Sequence, residues 1–497
     1  MKLSVPLAGS LFALGALGGG DGHGKDGCNA HKKRLRPDKV AADIKTADLK
    51  STLEDLYEVA QANGGNRAFG LPGYQASVDY VVDRLSRHSK DVDVSVQPFT
   101  HTFEQTREIS VKGPDGEEVY AITLLYNPAT PEGGITAPLI DTPVNDEIGS
   151  GCTEELWEGI DATGKLALVK RGLCDLSSKL KLARAHGALG VILYNQTPGT
   201  NYSSATLGAE NRFDIVPTAV IPLEVGTEWS ARLAAGEEVS VSLLVDSIFE
   251  ERETWNVIAE TKEGDPNNVV FLGAHLDSVQ AGPGINDDGS GTAGLLVFLD
   301  SLVKYKGIKN KVRFGWWGAE ESGLVGSTYY TSQLSPEEAD KHRYYFNYDM
   351  IGSPNPSYVV YEGEAIGSEK LFSYIDKAGK PAEFGAFGSS SDYVGFLDLG
   401  IPSSGLFTGA GAPEDACYHL ACDDLDNISW EAITLNTKAA AHVAAEFALS
   451  LEGIPARNSS TTTAKRAEVD LRSWDSVIAQ VEAAKPCSHD HDHDSRV

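Results

Sequence analysis

Along the chain the spacing of apolar and polar residues changes several times, and each change marks a different kind of element. Over residues 40–62 apolar positions recur every three or four residues, the spacing that lines one face of a helix, and a second helix is predicted over 74–85. Between residues 92 and 246 the pattern shortens to strands broken by glycine and proline, among them 165–170 and 190–194, with a helical stretch at 180–187 between them. Strand, helix, strand at this spacing predicts a small α/β module with a core of its own. From 254 to 450 strands and helices alternate at longer intervals. Residues 269–273 form an unbroken apolar run, as in a strand buried on both faces. A helix over 294–304, a strand over 312–317 and a closing helix over 430–450 follow. The expected fold class is α/β: a mixed β-sheet flanked by helices, with an inserted smaller α/β domain.

The two ends break this pattern. Met1-Lys2 precedes an apolar run over 3–17 and then Gly18-Gly19-Gly20, which marks residues 1–18 as a signal peptide. A membrane-spanning helix needs ~20 apolar residues, more than this run supplies. Residues 19–39 turn Gly-rich and then basic, as in a removable pro-segment, and residues 453–497 form a polar tail that ends in alternating His and Asp at 489–494.

Length and charge narrow the function. At roughly 100–200 residues per domain, 497 residues imply more than one domain. Acidic residues number 71 against 42 basic, a formal net charge of -29. That field repels phosphate backbones and anionic lipid, so nucleic acid and membrane are excluded as expected partners, and small cations, including the α-amine of a peptide, are favoured. Six cysteines and sequons at Asn195, Asn201, Asn427 and Asn458, added to the leader, fit secretion or, alternatively, delivery to a vacuole.

Candidate chemistry gathers at the ends of the predicted strands. Ala274-His275-Leu276-Asp277-Ser278 ends one of them. Residues two apart on an extended chain face the same way, so Asp277 can fix the tautomer of His275 while the other ring nitrogen faces a metal. Asp287 and Asp288 stand on a Gly-rich turn ahead of a helix, where a carboxylate can bridge two cations or cap the helix. Glu320 and Glu321 follow another apolar strand, and because adjacent side chains diverge, one can bind metal while its neighbour reaches a water. Asp349, on a largely apolar strand, needs a cation, a hydrogen-bond shell or a strand end. His419 lies in a short loop that a disulfide between Cys417 and Cys422 could close. Two histidines and several carboxylates at successive strand ends make a ligand inventory suited to zinc.

In this order the residues resemble the co-catalytic zinc aminopeptidases, the group that contains aminopeptidase Y and the secreted fungal leucine aminopeptidases. The resemblance is carried by His275-Leu276-Asp277, residues 284–288, Glu320-Glu321-Ser322-Gly323, residues 347–352, Cys417-Tyr418-His419 and the upstream stretch 65–77. Residues 164–172 and 185–192 look like a protease-associated domain, in which Cys152 and Cys174 would pair. The resemblance implies a catalytic domain in two parts, 40–120 and 250–452, around an insert at 121–249. It implies two Zn2+ ions per chain, with Asp287 bridging them, His275 and Asp349 completing one site, and Glu321 and His419 the other. Glu320 is then the general base, Asp277 orients His275, and Tyr418 donates to the developing oxyanion. The implied substrates are peptides with a free N-terminus, led by leucine or another apolar residue, and the protein is expected to be a monomer.

Two other functions compete for the same residues. A carboxypeptidase on this scaffold would need guanidinium groups to clamp the substrate carboxylate. Between His275 and Asp424 only Arg313 and Arg343 are present, neither in a motif, while Arg67 and residues of the insert stay open as alternatives. A binding protein that has lost its metals would show gaps in the ligand set, and this set of five ligands and a base is complete. The partners of Cys28 and Cys487 stay open.

Overall fold

The computed structural model describes residues 32–200 and 205–458. At its centre the strand Asp265–His275 runs parallel to Asn310–Trp317 on one side and His342–Tyr348 on the other. All three are packed on both faces, which is why their apolar residues run on without alternation. Outward from His342–Tyr348 the sheet continues through Ser403–Phe407, Tyr358–Tyr361 and Ala382–Gly385. Tyr358–Tyr361 is antiparallel to Ser403–Phe407, so the sheet is mixed, as expected.

Helices cover this sheet and build its largest core. Gly289–Leu302 is buried on every side except at Asp300, and Trp430–Leu449 is nearly as enclosed. A helix apolar all round belongs inside a core. The helical period over residues 40–62 resolves into two helices, Pro37–Asp43 and Thr46–Ala62. Ile44, fully buried, takes an extended conformation between them, so both helices turn their apolar faces to one core and the spacing reads as continuous.

The stretch expected to be short strands holds two long ones. Val92–Lys112 and Ser240–Thr261 pair antiparallel along nearly their whole length. The base of this ribbon joins the central sheet, where residues 257–260 pair with Asn310–Trp317, and its far end pairs with Ile135–Asp141. From there Leu166–Lys170, Gly190–Tyr194 and Thr218–Ile221 continue in parallel. Leu176–Ala185 packs in the core on one face of these strands and Leu223–Ala234 in the core on the other. The insert therefore has its own core and hangs on a two-stranded stem. The ribbon was illegible as one element because its neighbours change along its length: burial along Val92–Lys112 follows no period of two, and along Ser240–Thr261 the alternation of the first half breaks down in the second.

At both ends the packed fold extends beyond the limits drawn from sequence. Lys33–Arg34 pairs in parallel with Tyr305–Lys306 and Leu35 is buried, so residues 32–39 are part of the packed domain. Ile454 is likewise buried, and Arg457 bonds Asp340 and the Leu399 carbonyl. Residues 1–18, the His/Asp run at 489–494 and the Asn201 sequon lie outside the described residues. Among the described residues no helix is long and apolar enough to cross a membrane.

Both expected disulfides, Cys152–Cys174 and Cys417–Cys422, are formed. Two sequons are engaged within the fold. The Asn195 amide donates to Thr197 Oγ1 at 2.8 Å, and the Asn427 amide to Asp415 at 2.9 Å and Asp423 at 3.0 Å. A glycan would need those nitrogens, and only Asn458 of the described sequons is exposed.

Candidate metal centre

The carboxyl ends of the three central parallel strands point the same way, and the chemistry-bearing residues sit on the loops that leave them. Open parallel sheets bind ligands at this edge. His275 ends Asp265–His275, Glu320 and Glu321 follow Asn310–Trp317, and Asp349 follows directly on His342–Tyr348. Asp349 thus takes the strand-end placement that its otherwise apolar surroundings demanded.

The turn ahead of Gly289–Leu302 divides its two carboxylates between the two roles open to them. Asp288 caps the helix, accepting from Gly291 N at 2.8 Å, and also accepts from His275 N at 3.0 Å. Asp287 faces the opposite way, toward both histidines. Gly291 is required here, since a Cβ would lie 2.0 Å from the Tyr348 carbonyl. Gly284 is required likewise, since a Cβ there would lie 2.3 Å from the Asp287 carbonyl oxygen.

Distances assemble two overlapping groups. His275 Nδ1 donates to the Asp277 main-chain carbonyl at 3.1 Å. Its Nε2 then faces Asp287 Oδ1 at 3.0 Å, Asp349 Oδ1 at 3.6 Å and Glu320 Oε2 at 3.9 Å. His419 Nε2 lies 3.2 Å from Asp287 Oδ2 and 3.0 Å from Glu321 Oε2. His275, Asp287 and Asp349 each offer one ligand atom within 4.8 Å of the others, and so do Asp287, Glu321 and His419. Asp287 belongs to both groups, one oxygen toward each histidine.

The donor set suits divalent cations. Glu320 Oε1, Glu321 Oε1 and Asp349 Oδ1 are buried without a hydrogen-bond partner, and such oxygens are costly unless a cation or a polar ligand meets them. Burial, eased by His275 and reinforced by Asp392, Asp349 and Glu321, pushes the Glu320 carboxyl well above its usual range. Burial likewise raises Glu321 to about 7, against the pull of His419. Burial opposes the charged form of His419, but Glu321 and Asp287 outweigh it and carry the imidazole up to about 10. Carboxylates this close together hold protons that divalent cations would displace. Imidazole and carboxylate ligands, three to a site, are the chemistry of zinc.

Strained backbone clusters at the same place. Among non-glycine residues, Ala319, Met350 and His419 all have φ between 50° and 60°, a left-handed conformation that holds only where packing fixes it. Ala319 precedes the glutamate pair, Met350 follows Asp349, and His419 is itself in the Cys417–Cys422 loop. The Tyr418 ring stacks on His419 with centroids 3.8 Å apart and so braces the imidazole.

Comparison with known proteins settles the family. The model of peptidase family M28 matches residues 256–444, and that of the PA domain matches residues 135–229. Aminopeptidase Y of Saccharomyces cerevisiae is 36% identical over 465 residues, covering 88% of this chain and 84% of that protein. The chain belongs to peptidase family M28. Leucine aminopeptidase 2 of Arthroderma otae, 39% identical over 456 residues, covers 86% of this chain and 89% of its own length. Among solved structures, a zinc aminopeptidase from Bacillus subtilis aligns with a TM-score of 0.65 at 26% identity, over 83% of this chain and 99% of its own.

Every residue that the family resemblance assigned to this site lies within it. Asp277 differs in what it touches. Its carboxylate is 3.7 Å from His275 Nδ1, and instead accepts from Glu320 N at 3.1 Å and Glu321 N at 3.3 Å. It therefore fixes the glutamate pair, while its main chain sets the histidine tautomer. Arg67, kept open as a clamp for a substrate carboxylate, is fully buried and donates to the carbonyls of Leu276, Pro283 and Gly284. Arg313 pairs with Glu260, and Arg343 bonds Asn268 and the Ile454 carbonyl.

Two residues at the site were not found from sequence. Ser391 donates to Asp349 Oδ2 at 2.6 Å. Asp423 accepts the main-chain N–H groups of Asn286 at 2.8 Å and Asp287 at 3.0 Å, and so holds the turn that presents Asp287. The acidic pair Asp423-Asp424 behind the disulfide loop was a usable signal for one, and the serine run 389–391 held none for the other.

Proposed function

We propose that this chain, a metallo-aminopeptidase of family M28, binds two zinc ions and removes single apolar residues, leucine foremost, from peptides with a free N-terminus. The observation that carries the two-metal assignment is Asp287, whose two oxygens face the two histidines. His275, Asp287 and Asp349 would hold one ion, and Asp287, Glu321 and His419 the other. Bound there, zinc supplies Lewis acidity to the scissile carbonyl and to a water.

The side chains do the rest. Glu320, buried and with Oε1 unpartnered, takes a proton from the attacking water and delivers it to the leaving amine. The Asp277 carboxylate fixes Glu320 by accepting from its main-chain N–H, and Ser391 fixes Asp349. The Tyr418 phenol, on the ring stacked against His419, would donate to the oxyanion that develops. Glu320 and Asp349 offer negative charge to the substrate α-amine. Tyr361 stacks on Phe387 and Phe407 and packs on Tyr393, two residues past the Ser391 that bonds Asp349, and this aromatic surface suits an apolar first side chain.

Secretion or vacuolar delivery, removal of the leader and function as a monomer belong to the same proposal, supported by the leader, the exposed Asn458 sequon and the two disulfides. Substrate polarity is the sharpest test. Leucinamide should be hydrolysed rapidly and N-acetyl-leucinamide hardly at all, since acetylation removes the amine charge and adds bulk. Release of C-terminal residues from acetylated peptides would instead establish a carboxypeptidase.

A further inference from the structure

A cavity of about 400 Å³ lies beside the metal centre, in the size range of ligand sites. Its lining includes Glu321 and His419, the aromatic side chains of Phe69 and Phe103, and Leu125 and Thr206 from the insert. Its lining residues include three that carry carboxylates, Glu104, Asp277 and Glu321, and neither lysine nor arginine is among the described ones. Two of the three are engaged at the metal centre, Asp277 on the glutamate N–H groups and Glu321 with His419. Glu104 is the third, and no step of the reaction above uses it.

Glu104 stands on the long ribbon, 3% exposed, and accepts from Thr106 Oγ1 at 2.8 Å and from Tyr126 N at 3.1 Å. One hydrogen bond to each oxygen leaves acceptor capacity on both. Burial pushes this carboxyl up to about 7, against those two bonds, and an arriving cation would draw it to the ionised form. The nearby guanidiniums are engaged elsewhere, Arg212 with Thr102, and Arg252 with Glu250, the Gly70 carbonyl and the face of Phe103. A buried carboxylate, apolar walls and a narrow space match a lysine or arginine side chain, whose stem packs along apolar surface while its head meets the charge.

The aromatic cluster of Tyr361, Phe387 and Phe407 is tied to Asp349 through Tyr393, which packs on Tyr361 and Phe387 two residues past the Ser391 that bonds Asp349, whereas the cavity is lined by Glu321 and His419. With the first side chain on the aromatic surface, the cavity is left for the chain beyond the scissile bond. We propose that this cavity receives the residue after the scissile bond and that Glu104 selects a cationic side chain there. The assignment rests on the aminopeptidase reading above.

Three peptide amides test it, Leu-Lys-Ala, Leu-Met-Ala and Leu-Glu-Ala, with kcat/KM measured for the zinc-loaded wild type and for Glu104→Gln. The wild type should prefer Lys over Met and Met over Glu. In the variant the Lys to Met ratio should fall roughly tenfold or more, the scale of one lost hydrogen bond to a charged group. Both peptides are cleaved by one preparation, so the ratio does not depend on how much of the variant is folded. A wild type indifferent to the second residue, or a ratio unchanged by the substitution, would overturn the assignment while leaving the aminopeptidase reading intact. Failure of the wild type to cleave any of the three would defeat both proposals.

Discussion

Glu320 and Glu321 are adjacent in sequence, yet the left-handed turn at Ala319 and the Asp277 carboxylate across their N–H groups send them to different partners. Glu321 reaches His419 at 3.0 Å, while Glu320 keeps an unpartnered oxygen over the centre. Glu320→Gln should therefore retain wild-type zinc content and lose at least roughly 100-fold in kcat, the lower range for a general base. Glu321→Gln should lose zinc. Metal analysis by mass spectrometry beside steady-state kinetics checks both, and the opposite pattern would exchange the two roles. At this scale the ligands were legible because histidine and carboxylate at successive strand ends are costly without a cation. Asp277 was legible as a participant but not in its partners, since spacing shows which way a side chain points and not which donor lies there. Ser391 and Asp423 were hidden because each reaches the site from a loop whose position depends on the whole fold.

At the scale of elements, the strand that delivers Asp349 begins with a histidine that must stay neutral. His342 donates from Nδ1 to the Glu338 carbonyl at 2.8 Å, and Nε2 accepts from Tyr330 at 3.0 Å and Arg313 at 3.2 Å. Burial, with the Arg313 charge added, pushes this imidazole down to about 4. Its folded pKa lies below the unfolded value of ~6.5, so the unfolded chain takes up the proton first as pH falls. The contribution to stability is thus full above pH ~6.5 and is lost as pH drops toward 4, by roughly 3 kcal/mol in all. Urea midpoints measured from pH 7 to 4.5 should fall more steeply for the wild type than for His342→Gln, and equal slopes would show that another group carries the dependence. The central strands and core helices were readable because burial on all sides leaves an unbroken apolar signature. The break at Ile44 and the long ribbon were not, since one keeps its apolar period through a change of direction and the other changes surroundings along its length.

For the whole molecule, the order of elements foretold an insert, but its suspension on a two-stranded stem beside the metal centre emerges only in three dimensions. The formal charge of -29 said only that cations are welcome, whereas the structure concentrates that preference in two overlapping groups that share Asp287. Removing metal should accordingly abolish hydrolysis of leucinamide, and zinc should restore it. The central claim is two zinc ions on five ligands, and anomalous diffraction at the zinc edge from crystals of active protein tests it most directly. Two peaks per chain are predicted, one among His275, Asp287 and Asp349 and one among Asp287, Glu321 and His419. A single peak, or none, in crystals whose dissolved protein still hydrolyses leucinamide would contradict it.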